Sequence, residues 1–218
     1  MRENSFQKLK RGDLDGVTTR MIHVGRGLQS SVRLIEIDGE LAAVKDYIEA
    51  PRWFRLFIAP WLLNREERAL RALDETTNVP RVFARIDRYA LAMEYVEGTP
   101  MDRYSLGELA PEVFEAAQKT IDAIHARGVS HCDLKRRSNL ILTPHGEVVL
   151  IDFAAAIVGR RMLNPFANWL QREMAQVDNK SVPRLKKFVA PELLTDEDKL
   201  KLETPTVLER WARKLLNR

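Results

Sequence analysis

At 218 residues, with 45% hydrophobic and 30% charged side chains, the chain is too apolar for a disordered segment and long enough to bury one core or two small ones. Its single cysteine, Cys132, excludes an internal disulfide and makes a reduced, cytoplasmic setting the expectation. The net charge of +4 is a mild basic excess that favours anionic surfaces without demanding nucleic acid, and no nucleic-acid recognition motif is present, so none is expected as a partner.

The polar start, MRENSFQKLKRGDLDG, lacks the apolar stretch of a secretory signal, so no signal peptide is expected. From Thr18 to Lys45 apolar and polar residues alternate around Gly25-Arg26-Gly27 and Asp38-Gly39, which predicts three short antiparallel strands joined by hairpins. After Pro51 the pattern turns helical, with strong helix formers over Asn64–Leu73. The run Leu56–Leu63 is far short of the ~20 residues that span a bilayer, and Pro60 breaks it. Strands are predicted in residues 79–86 and 89–96, and Gly98-Thr99-Pro100 then ends the strand-rich half.

Leu109–Arg127 reads as one amphipathic helix stopped by Gly128. Residues 139–153, NLILTPHGEVVLIDF, read as a hairpin with Pro144-His145-Gly146 at its tip. Beyond Ala156 the composition is helical to the end, with a capping-box start at Thr195 to Asp198. No internal repeat is present. The pattern predicts an α+β chain with an antiparallel-sheet lobe at residues 1–97 and a reduced, mainly helical lobe at residues 98–218.

Phosphoryl transfer from ATP needs a cover for the phosphates, a cation to orient them, hard oxygen ligands for Mg²⁺ and a carboxylate near the attacking hydroxyl. Candidates for all four occur in one chain order. Gly25, Gly27, Ser30 and Val32 form a glycine-rich strand turn where backbone N–H groups can approach phosphates, although such a turn is also ordinary hairpin chemistry. Ala43-Val44-Lys45 ends an apolar strand with a lysine; a strand-end lysine is usually solvated, but Glu66 on the following helix offers it a partner. Glu67, by contrast, reads as part of a charged helical face.

The stretch HCDLKRRSNLIL, His131–Leu142, supplies the rest. Asp133 is placed to accept or orient the hydroxyl proton, Lys135 to neutralise the moving phosphate and Asn139 to offer an amide oxygen to Mg²⁺. Asp152, at the end of the hairpin, offers the metal carboxylate.

In this order the residues resemble the protein-kinase-like superfamily, whose signatures are a glycine-rich loop, A-x-K, a helix Glu, H-R-D-L-x-x-x-N and D-F-G. The resemblance covers roughly Val24 to Ala154. It implies a two-lobed kinase-like fold, an ATP-dependent kinase using Mg²⁺, and Met93 to Val96 as gatekeeper and hinge, with the backbone at Glu94 and Val96 pairing the adenine. The short chain resembles the small RIO and bacterial lipopolysaccharide-kinase branch more than the large eukaryotic kinases.

Three departures carry information. Asn139 follows Asp133 by six positions where the family pattern has five; because the strand Leu140-Ile141-Leu142 directly follows Asn139, the extra residue is assigned to Lys135–Ser138, and Asn139 rather than Ser138 is expected to face the metal. Cys132 replaces the arginine that many kinases use to grip a phosphorylated loop, so that switching mode is not expected. Ala154 replaces the glycine of D-F-G, which should make the Asp152 segment less free to flip. Ala190-Pro191-Glu192 spells A-P-E but is read as coincidence.

Two acid-free stretches, Pro51–Arg65 and Gly159–Arg172, mix aromatics with arginines. Their readings are an anionic-membrane face or core packing, with core preferred for the second. The acceptor expectation is a hydroxyl on a sugar or lipid-linked sugar at the inner face of a cell envelope. The alternatives are a protein serine/threonine kinase of RIO-like type and a catalytically weak nucleotide-binding scaffold.

Overall fold

The alternating stretch near the N-terminus folds into β1 (Thr18–His23), β2 (Ser31–Ile37) and β3 (Glu40–Asp46). Asp38 and Gly39 between β2 and β3 both have positive φ, 54° and 80°, as a tight two-residue hairpin turn demands. With β4 (Val82–Arg85) and β5 (Ala90–Glu94) they form one antiparallel sheet in the order β1-β2-β3-β5-β4. The computed structural model describes residues 5–73, 76, 78–159, 165–207 and 210. They divide into two compact units, Met1–Asp74 with Pro80–Val96, and Glu75–Val79 with Glu97–Arg218.

In the first unit, strand register sorts residues onto two faces. Residues directly paired across an antiparallel ladder share a face, so Val32, Lys45 and Leu91 lie on one side together with Leu34, Ala43 and Met93. Val44 and Ala92, and Ile35 and Ala42, lie on the other. That second face is covered by a segment whose order the sequence did not announce: 3₁₀ turns at Ser5–Lys8 and Arg11–Asp13, then α1 (Leu14–Val17). Phe6, Leu9 and Leu14 are buried there against Ile35, Val44, Phe83 and Ala92, and Phe6 stacks on Phe83 with centroids 4.7 Å apart. Arg11 fastens the segment through buried Asp46, at 2.8 Å, and through Asp87. Burial alone would push the Asp87 carboxyl up, but Arg11 and the Tyr89 N–H hold it below its ordinary value.

The helix expected at Asn64 begins earlier, as α2 (Arg52–Phe57) followed by α3 (Ala59–Ala72) with Pro60 in its first turn, where a missing N–H costs nothing. α3 turns Ala59, Leu63, Glu66, Ala69 and Leu70 inward and packs on β4 and β5. Glu67 stays on the outer flank, paired with Arg71 and Arg85.

The second unit holds a three-stranded sheet, β6 (Thr99–Pro100), β8 (Leu140–Leu142) and β9 (Val148–Leu150), in the order β6-β8-β9. α4 (Pro111–Ala126) buries Val113, Phe114, Ala117, Ile121 and Ile124, and Gly128, at φ 75°, ends it. A two-residue strand, β7 (Val129–Ser130), leads into the loop at His131 and pairs with β10 (Ile157–Val158), in a region whose composition suggested helix alone. α5 (Pro165–Asp178), α6 (Ser181–Val189) and α7 (Asp196–Glu203) follow, the last started by the expected box between Thr195 and Asp198. Ala190-Pro191-Glu192 forms the end of α6 and an exposed 3₁₀ turn.

The aromatic stretches divide differently from expectation. Phe166 and Trp169 are exposed, 66% and 42%, which overturns the core reading for them; Arg160, Arg161, Met162, Leu163 and Asn164 of that stretch lie outside the described residues. In the first stretch Phe54 and Leu63 are buried, while Trp53, Phe57 and Trp61 face solvent. Among the described residues no helix is long and apolar enough to cross a membrane.

Candidate active site

In the first unit, the sheet face carrying Val32, Ala43 and Lys45 also receives Glu66 from α3. The Lys45 ammonium lies 2.8 Å from Glu66 Oε2 and donates to Oε1 at 3.1 Å; the side chains are 9% and 1% exposed. Two charges so far out of water are tolerable only as a bonded pair, which fixes the ammonium direction. Alternation accounts for the lysine, since Ala43 and Lys45 share a face, and helical spacing accounts for the acid, which stands in the buried stripe between Leu63 and Leu70.

The glycine-rich turn is shaped from within. A Cβ on Gly25 would sit 2.5 Å from the Gln29 carbonyl oxygen, and Gly27 has φ 63°. Gly25 donates its N–H to Ser31 Oγ at 3.1 Å, and Ser31 donates onward to Glu49. Gly25 is therefore demanded by the turn's own closure, and its N–H is spent there. Ser30 is buried at the turn's exit and Val32 lies opposite Lys45. Glu94 ends β5, its N–H donating to the Arg81 carbonyl and its carboxylate accepting from Arg81 N and Nε; Val96 follows, half-buried, beyond the strand.

In the second unit the loop after β7 is held at several points. Buried His131 bonds through Nε2 to the Ile151 carbonyl at 2.9 Å, and its Nδ1 accepts the Asp133 N–H at 3.3 Å. Those two contacts require the neutral ring protonated at Nε2. Burial pushes the imidazole below its ordinary pKa, opposed by the Ile151 carbonyl and by Asp178, Asp152 and Asp133. The ring also packs 4.5 Å from Phe153. The loop and the end of β9 are thus tied together.

Between Asp133 and Asn139 the chain makes a 3₁₀ turn, Arg137–Asn139, closed by the Asn139 N–H to the Arg136 carbonyl at 3.0 Å. Asn139 is buried, and its amide nitrogen donates to the Asp133 carbonyl at 3.1 Å. Its own carbonyl accepts the Ile151 N–H, which brings the residue preceding Asp152 alongside it. Asp133 keeps a partly exposed carboxylate, 3.2 Å from Arg136 Nε, and Lys135 is exposed. Asp152 has φ 65°, a left-handed conformation that aspartate and asparagine adopt more readily than other non-glycine residues, and the 3₁₀ turn Phe153–Ala155 follows it. Positive φ therefore falls on Asp152 rather than on Ala154.

One residue at this site escaped the sequence reading. Asp178, the last residue of α5 and 1% exposed, accepts the N–H groups of His131 at 2.7 Å and Cys132 at 2.9 Å, with His125 Nε2 3.3 Å away. Cys132 sits at φ 69°, and the two bonds hold that conformation in place. No local pattern marks an aspartate whose partners are backbone groups from more than forty residues earlier.

Asn139 carries an amide oxygen whose nitrogen is already engaged, and Asp152 carries a carboxylate, both hard oxygen groups. Among the described residues no cluster of three or more His, Cys, Asp or Glu forms a self-sufficient metal cage. Mg²⁺ suits this set, since it binds through one or two protein oxygens together with substrate phosphates.

Over 98 residues the chain is 34% identical to CBL-interacting serine/threonine-protein kinase 15 of Arabidopsis thaliana, which covers 42% of this chain and 23% of that protein. The chain thus spans under a quarter of that relative's length. Residues 51–179, more than half of the chain and including Glu66, the His131–Asn139 loop and Asp178, match the family model of the RIO domain, and the chain belongs to that protein-kinase-like family.

Proposed function

We propose that the chain is an ATP-dependent phosphotransferase that moves the γ-phosphate to a hydroxyl acceptor. Lys45, held by Glu66, orients the phosphates under the turn of Gly25, Gly27 and Ser30; Val32 and Ala43 line the adenine, and the backbone at Glu94 and Val96 pairs with it. Asp133 orients the acceptor hydroxyl and takes its proton, and Lys135 meets the charge on the transferring group. Asn139 and Asp152 would hold Mg²⁺, which when bound would supply positive charge against the phosphates. The observation that carries the reading is the bonding of Asn139 to the Asp133 carbonyl and of the Ile151 N–H to the Asn139 carbonyl, which ties the chain segments bearing Asp133, Asn139 and Asp152 together.

Two acceptor classes follow from different observations. The likeness to a serine/threonine-protein kinase favours a protein hydroxyl. The exposed basic-aromatic helix face favours a sugar or lipid-linked sugar met at a membrane, with the protein cytoplasmic and peripheral there. Labelled-ATP turnover by the purified chain, with fractionated envelope glycolipids in one series and generic protein substrates in another, separates them. Transfer is expected in one series, with Mg²⁺, and lost in Asp152→Asn; Mg²⁺-dependent transfer that survives Asp152→Asn refutes the site.

A further inference from the structure

The outward side of α2 and α3 carries a feature that nucleotide chemistry does not use. Trp53, Phe57 and Trp61 are 57%, 75% and 54% exposed at a spacing of four. The junction between the helices keeps right-handed dihedrals at Ile58, φ −102° and ψ −48°, with the Ile58 N–H bonded to Phe54 and the Leu62 N–H to Ile58. The spacing therefore carries across it, and the three rings form one row. Exposing three large aromatics in one row runs against the burial that drives folding. On the same helix the inward stripe, Leu63, Glu66 and Leu70, is already satisfied.

The rim of the row is cationic. Arg52 and Arg68 are exposed at its ends, and the Arg65 guanidinium lies over the Trp61 ring at 4.5 Å. Arg88 reaches the carbonyl of Leu56 at 3.0 Å, and Arg55 lies over Tyr89. The nearby acids are answered inside the protein: Glu67 by Arg71 and Arg85, Asp87 by Arg11, and Glu66 by Lys45. Amphipathic rings ringed by guanidinium groups, with the acids neutralised, match the headgroup region of an anionic bilayer, where indole sits at the polar boundary and arginine meets phosphate.

We propose that the outer face of α2 and α3 docks on an anionic membrane surface. A lipid interface is the occupant because exposed rings beside guanidinium groups match the headgroup boundary of an anionic bilayer, where indole and arginine both find partners. Binding needs no nucleotide, so the proposal stands or falls apart from the phosphotransferase reading. The test is co-sedimentation of the full chain, without ATP, with vesicles of phosphatidylcholine alone and of equimolar phosphatidylcholine and phosphatidylglycerol. Binding to the anionic vesicles alone is expected, weakening as salt shortens the Debye length to ~8 Å near physiological strength. Trp53→Ser, Phe57→Ser and Trp61→Ser combined should weaken it at least about tenfold, as should Arg52→Gln with Arg68→Gln, while Phe188→Ser, which removes an exposed ring on α6, should not. Circular dichroism and thermal melting check that the variants fold. Lack of binding to anionic vesicles at low salt, or equal binding by the aromatic variant, overturns the proposal. So does self-association in sedimentation velocity that the aromatic variant abolishes without any vesicle binding, which would make the row an interface between copies of this chain.

Discussion

Asn139 commits its amide nitrogen to the Asp133 carbonyl, and this single bond decides which atom of the side chain remains for a cation. Ser138, one position earlier in the same 3₁₀ turn, makes no such side-chain bond among the described residues, so the two residues should respond differently to truncation. Asn139→Ala is expected to raise the Mg²⁺ requirement and lower turnover by about two orders of magnitude, the scale on which a preorganised oxygen or donor matters, while Ser138→Ala stays within about twofold. A steady-state series in Mg²⁺ reads both, and a greater loss in Ser138→Ala refutes the register. His131 supports a pH prediction of definite sign. Burial holds its folded pKa below the ordinary value of 6.5, so the unfolded chain takes up the proton first as pH falls. Stability is therefore fully present above about 6.5 and declines as pH drops through the window beneath it. Urea midpoints measured from neutral pH downward should fall in the wild type and fall less steeply in His131→Asn; parallel curves would show that the ring does not carry the effect.

At the scale of elements, α5 matters through its last residue. Removing Asp178 leaves two loop N–H groups without their acceptor, at about 1–3 kcal/mol each, and releases the positive-φ conformation at Cys132. Asp178→Ala should cost about 3 kcal/mol in stability and lower kcat with little change in the KM for ATP, because Asp178 positions the loop and touches no substrate. Equal loss in kcat and nucleotide affinity would mark a general collapse instead. Elements with a period were legible in the sequence: alternation located β2, β3 and β5, and helical spacing located α4 and the inward placement of Glu66. Elements without one were not. The turns that bury Phe6 and Leu9 are too short for any periodicity, β10 is two residues long, and Asp178 acts on backbone that carries no side-chain signature. The exposed row Trp53, Phe57 and Trp61 was visible as composition, yet hydrophobicity alone does not say which side of a helix the core takes; that was decided by the packing of Leu63 and Leu70.

Across the whole molecule the proposed chemistry is divided between two units that each have their own core, so a residue's structural cost and its catalytic cost can be separated by where each is read. Lys45 and Glu66 give the clearest case. Both are buried in the first unit, and removing one strands the other charge, at about 3–5 kcal/mol. Lys45→Met or Glu66→Met alone should therefore speed amide exchange in β3 and β5 and leave β8 and β9, in the other unit, near wild-type protection. Removing both charges is a different matter. A buried pair replaced by apolar side chains of similar length is often neutral or stabilising, so the double variant Lys45→Met with Glu66→Met should regain the lost protection and melting temperature. It should not regain turnover, because no cation remains to orient the phosphates. Recovery of fold without recovery of activity assigns the pair a catalytic purpose beyond its structural one. If the double variant turned over ATP at the wild-type rate, Lys45 would be reduced to half of a structural ion pair, and the phosphate-orienting role would have to pass to another residue.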